Sequence, residues 1–98
     1  MVLSRLDSFS EGDWRLAVLE ADIILSDMLS KMGLKGEGVA EKLKNADKAS
    51  FHTLDDAWTA HKLRNRIAHE GGSLHLTHEM AQRAVDLYKK VFDEFYFI

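Results

Sequence analysis

Ninety-eight residues, 46% hydrophobic and 30% charged, make one small domain whose limited core a partner chain could complete. The absence of cysteine and proline excludes disulfide stapling and a thiolate metal site and fits a helical protein. A net charge of −3 supplies no global attraction for nucleic acid, so any polyanion contact must be local, and the longest apolar run, Ile23-Ile24-Leu25, is far short of the ~20 residues that span a bilayer.

No basic-then-apolar leader opens the chain, which therefore reads as soluble and cytoplasmic. Residues 1–10, with Leu3, Leu6 and Phe9, read as an arm or extra helical turn before a single domain over residues 11–98. Trp14, Ala17, Val18, Ala21, Ile24, Leu25, Met28, Leu29 and Met32 recur at helical spacing from near Glu11 to Gly33. Leu16, Leu19 and Ile23 form a second stripe on nearly the opposite side, which predicts a helix sandwiched inside its bundle or against another subunit. The glycines at 33, 36 and 38 mark a flexible connector with a helix C-cap. A shorter helix is predicted over residues 39–48, with Val39, Leu43 and Ala46 as its apolar edge and its lysines solvated.

Thr53 is the predicted N-cap of the next helix, which ends at Gly71-Gly72 and carries Asp55 and Asp56 at its positive end. Thr77 caps the last helix, where Ala81, Ala84, Val85, Tyr88, Val91, Phe92 and Phe95 form one long core stripe. The tally predicts an all-α fold, an up-and-down bundle of four helices, or five if the first residues add one.

Chemistry concentrates in Arg64-Asn65-Arg66-Ile67-Ala68-His69. Stepping roughly 100° per residue, Asp55, Thr59, Lys62, Arg66 and Glu70 collect on the solvent arc of this helix. Asn65 falls in the middle of the apolar arc beside Leu54, Trp58, His61 and Ala68, with Arg64 and His69 on its two borders. Inward polar groups must be satisfied or used, because burying an unpaired amide or charge costs on the order of 1 to several kcal/mol.

An Arg-Asn pair followed by three residues and a histidine, late in one helix of a small all-helical chain, resembles the HEPN superfamily; Arg64, Asn65 and His69 carry the resemblance. It implies a four- or five-helix bundle, a homodimer in which motifs from both subunits line one cleft, and metal-independent endoribonuclease activity with a toxin or defence role. Carried over, it makes Arg64 and His69 catalytic and Asn65 a positioning residue, with RNA as substrate and a nucleotidyltransferase-like or antitoxin companion as partner. The alternative within the same fold is a non-catalytic interaction or nucleotide-binding module; a purely structural dimer domain, alone or cut from a longer chain, is a third reading. In the ribonuclease reading His69 exchanges protons near neutral pH and Arg64 holds phosphate oxygens, with no cofactor and no metal.

Each residue also has a structural role open to it. His69 can cap the helix C-terminus, Asn65 can tie neighbouring helices, and Arg64 can pair with Glu20 or Asp22 on the first helix. His61 reads as a satisfied core histidine. Trp14 and Trp58 read as core or interface aromatics, and the lysines at 42, 44, 48, 62, 89 and 90 as solvated faces. His75, His78 and Glu79, with His52 apart, straddle a helix start rather than following the two-histidine spacing of a zinc helix, so no metal site is expected.

Overall fold

Two of the three long helices begin where a side chain accepts from a first-turn amide. In the computed structural model, which describes Asp7, residues 10–70 and residues 75–97, Ser10 accepts from the Asp13 amide at 3.4 Å and opens α1, Glu11–Lys31. The helix closes as the glycines predict. Gly33 takes φ 85°, and Leu34 N donates to Leu29 O at 3.1 Å while Gly33 N donates to Ser30 O at 3.0 Å, the paired bonds of a Schellman cap. In the connector, a β-carbon on Gly36 would lie 2.6 Å from Glu41 Cβ, so the close approach of the two segments requires glycine.

The next helix, α2, spans only Val39–Lys44, shorter than the predicted 39–48. Asn45 Nδ2 donates to Lys35 O at 2.6 Å, and the Asp47 carboxylate accepts from Ala49 N at 3.0 Å to start a 3₁₀ turn, Lys48–Ser50. These short polar side chains offer the backbone local bonds that compete with helix. The motif helix, α3, is Leu54–Glu70. Thr53 does not cap it through its hydroxyl, which donates instead to Glu94 Oε1 at 2.6 Å; Glu94 also accepts the His52 and Thr53 amides, each at 2.7 Å. The last helix, α4, His78–Glu94, begins as predicted, Thr77 Oγ1 accepting from Met80 N at 3.1 Å.

Three long helices and one short one therefore make an all-α bundle, with no strand among the described residues. The predicted α4 stripe is its spine: Ala81, Ala84, Val85, Tyr88, Val91 and Phe92 are buried against both α1 and α3. Ala17, Val18, Ala21, Leu25, Met28 and Leu29 face it from α1, and Leu54, Ala57, Ala60 and Ile67 from α3. Burying each large apolar side chain contributes about 1.5–3 kcal/mol. Arg15 fastens the far end of α3, its Nη1 donating to Ile67 O at 2.8 Å, while Glu11 accepts from Leu76 N at 3.1 Å ahead of α4. No helix among the described residues is long and apolar enough to cross a membrane.

Of the two covers expected for the second stripe of α1, the bundle itself does not supply one within the described chain, since Leu16 is 44% and Ile23 67% exposed, and a second subunit is the cover that is left. Three further expectations are corrected. Lys42, read as solvated, is buried, because its Nζ reaches back to α1 and donates to Ser26 Oγ at 2.8 Å while its aliphatic stem is covered. Met32 and Ala68, counted as apolar-face residues, are exposed. The inward arc of α3 is also rotated, running through Leu54, Ala57, Ala60, His61 and Ile67, which places Arg64 within its span and Asn65 at its edge. Alanines at 57 and 60 seat most deeply where α3 packs on both α1 and α4, and a pattern weighted by Trp58 and Ala68 points slightly aside. The predicted arm over residues 1–10, Asp7 and Ser10 apart, and the Gly71-Gly72 stop lie outside the described residues.

Candidate functional site

α1, α3 and α4 converge on one carboxylate. Asp22 is buried among apolar neighbours on α1, a position tolerated only if its oxygens are occupied. Oδ1 accepts from Tyr88 Oη on α4 at 2.7 Å and from His61 Nδ1 on α3 at 3.0 Å. Oδ2 lies 3.5 Å from Arg64 Nε, an ion-pair contact without hydrogen-bond geometry, so the buried Nε makes no hydrogen bond among the described residues. Burial above all, then the Asp22 charge and hydrogen bond, raise the Tyr88 hydroxyl far above the usual tyrosine range, against an opposing pull from Arg64. Tyr88 therefore stays protonated and donates.

Asn65 completes the cluster. Its Oδ1 accepts from Arg64 Nη1 at 3.1 Å, and its Nδ2 approaches His61 Nε2, one turn back, at 3.3 Å. Beside these groups lies an open cleft of about 370 Å³, lined by Asp22, His61, Arg64 and Asn65 with Ser26, Ile23 and residues 38–40. A cation held by a buried carboxylate, beside an imidazole and an amide at a solvent-reachable cleft, can receive an anion and exchange a proton with it.

Of the sequence-predicted residues, the structure brings Arg64, Asn65, Asp22 and His61 together. Of the two carboxylates proposed for Arg64, Asp22 stands opposite it; Glu20 is half-buried and outside the cleft lining. His69 is exposed in the last turn of α3, also outside the lining. Of the spare histidines, His78 packs edge-on against Trp14, with ring centroids 5.2 Å apart, and among the described residues no three histidine, aspartate or glutamate side chains gather as a metal site.

Sequence reasoning missed the Tyr88 hydroxyl, the His61–Asn65 contact and the Lys42–Ser26 pair. A signal for the first was present: a tyrosine in an otherwise apolar core stripe needs an acceptor on a facing helix. Compared with known proteins, the chain matches no family model, no curated protein and no solved structure.

Proposed function

We propose that this chain is a metal-independent endoribonuclease of HEPN type that cleaves RNA by attack of its own 2′-hydroxyl, in a cleft completed by a second copy. The observation that carries the reading is Arg64 at the rim of the cleft, a third exposed (32%) and steered by a carboxylate buried behind it. Its guanidinium neutralises the phosphate oxygens as charge builds in the transition state, and Asn65 fixes its plane. His69 moves a proton from its exposed place at the end of α3. It lies five residues beyond Arg64, about 7.5 Å along the axis and outside the cleft lining, so a facing copy is the better source of the His69 that serves the Arg64 cleft. The apolar edge of α1 at Leu16 and Ile23 supports such a copy, since Ile23 also lines the cleft. A toxin or defence role, with an antitoxin or nucleotidyltransferase-like companion, belongs to the same reading.

The test is RNA cleavage in EDTA. The parent should give fragments ending in 2′,3′-cyclic phosphate, and His69→Ala and Arg64→Ala should each lower the rate by about 10²–10⁴-fold while keeping their helix content. A folded parent that leaves RNA intact refutes the activity. The hydrogen bonds that tie Asp22, His61, Asn65 and Tyr88 together favour a second reading, a non-catalytic module holding a nucleotide or partner helix in the cleft; binding without cleavage, unaffected by His69→Ala, would establish it.

A further inference from the structure

The cluster has a direction fixed at both ends. Arginine carries only donors, so the Asn65 atom facing Arg64 Nη1 at 3.1 Å is its oxygen, and its N–H group then faces His61 Nε2 at 3.3 Å. An imidazole nitrogen facing an N–H must be the accepting one. At the other end Asp22 accepts from Nδ1 at 3.0 Å, so the donors run from Arg64 through Asn65 and His61 to Asp22. This donor order sets the His61 tautomer, proton on Nδ1 and lone pair on Nε2, and the ring lines the cleft.

We propose that His61 is the general base of the cleft, taking the 2′-hydroxyl proton of RNA at Nε2, while Asp22 and Tyr88 act as positioning residues that hold its ring and tautomer; this rests on the ribonuclease reading above. The Asn65 contact is a neutral bond at the long end of the hydrogen-bond range, which a substrate hydroxyl can replace like for like. In the step, the 2′-O–H bond breaks and its proton goes to Nε2 as the oxygen forms a bond to phosphorus. The bond from phosphorus to the 5′-oxygen then breaks, its electron pair leaving with that oxygen, which takes a proton from a His69 imidazolium. The products are a 2′,3′-cyclic phosphate and a 5′-hydroxyl, and proton exchange with water resets both histidines.

His61 and His69 stand eight residues apart on one helix, about 12 Å along its axis, too far to flank one phosphorus. The acid is thus His69 of a second copy, and each cleft needs one His69 rather than two. The charged and titratable groups facing His61 are Asp22 from α1, Arg64 from its own helix and, through Asp22, Tyr88 from α4. α2 lines the cleft with residues 38–40 only, its Lys42 being turned to Ser26.

The deciding experiment measures RNA cleavage in EDTA against pH for the parent, His61→Gln and His61→Ala, with thermal melts of each. His61→Gln should lower kcat by about 10²–10⁴-fold with KM little changed and abolish the fall of kcat/KM at acid pH, and added imidazole should restore part of the rate to His61→Ala. If the parent cleaves and His61→Gln matches it within about 3-fold across the profile, His61 is structural and the ribonuclease reading stands without it. A parent that does not cleave removes both. Should the variants fail to fold, imidazole nitrogen NMR of the parent decides: Nε2 of His61 must be unprotonated and shift when an RNA oligonucleotide with methylene in place of its 5′-bridging oxygens, which keeps the 2′-hydroxyl but has no leaving oxygen, is added. A protonated or unresponsive Nε2 overturns the proposal.

Discussion

Removing the Asp22 carboxylate leaves the His61 Nδ1 proton without its acceptor, the Tyr88 hydroxyl with only Ala60 O at 3.4 Å among the described residues, and the Arg64 guanidinium without its counter-charge. Losing one partner of a buried charged pair costs about 3–5 kcal/mol, a large part of the 5–15 kcal/mol that holds a small domain folded. Asp22→Ala should therefore lower the urea midpoint far more than Tyr88→Phe, which removes a single bond to the carboxylate worth about 1.5–3 kcal/mol. Equal midpoints for Asp22→Ala and the parent would mean that the cluster contributes nothing to stability. At this scale the sequence was legible where polarity conflicts with position: Glu20 or Asp22, flanking a core face, read as the partner of Arg64 on the border of an inward arc, and the choice between them needed the fold. Lys42 was not legible, because burying an ammonium by reaching Ser26 across a connector depends on how α2 folds back on α1.

Glu94 ties two elements together, since one carboxylate at the end of α4 holds the entry to α3 through His52 and Thr53. Desolvation pushes its pKa up, but the hydrogen bonds from Thr53 and His52 prevail and hold it below the ordinary value of 4.5. A carboxylate with a depressed folded-state pKa stabilises the fold fully above its unfolded value and loses that contribution as pH falls through the folded one. Glu94→Gln should thus cost about 1–2 kcal/mol near neutral pH, with its urea midpoint converging on the parent's as the pH falls below the ordinary carboxylate range and Glu94 protonates. A deficit that persists unchanged in acid would show that the carboxylate's charge has no part in the clamp. The helices themselves were legible from period and caps, Gly33 and Thr77 falling where local chemistry places them, while the Ser10 cap came from the structure. The Thr53 side chain was misread because its hydroxyl is taken by Glu94, 41 residues away, and no local pattern carries that information.

A domain of this size leaves much of its surface wet, and here the wet surface includes an apolar strip of α1 that borders the cleft. The periodicity showed two apolar faces on that helix, but not which would be covered, since that depends on where α3 and α4 pack. Ile23 is 67% exposed, so replacing it cannot much disturb the bundle; whatever the change does must come through a contact outside the single chain. A two-fold interface would bury it twice, at about 1.5–3 kcal/mol each, so Ile23→Glu should weaken self-association by about two to four powers of ten in Kd. Sedimentation equilibrium should find the parent dimeric and Ile23→Glu monomeric at the same concentration, with helix content and melting temperature unchanged. If the cleft works only with His69 from a second copy, cleavage by Ile23→Glu falls in step with dissociation and recovers as its concentration is raised. A parent that sediments as a monomer at every concentration, yet cleaves RNA, would require acid and base to come from one chain, and the 12 Å or so along α3 between His61 and His69 makes that pair unable to serve one phosphate.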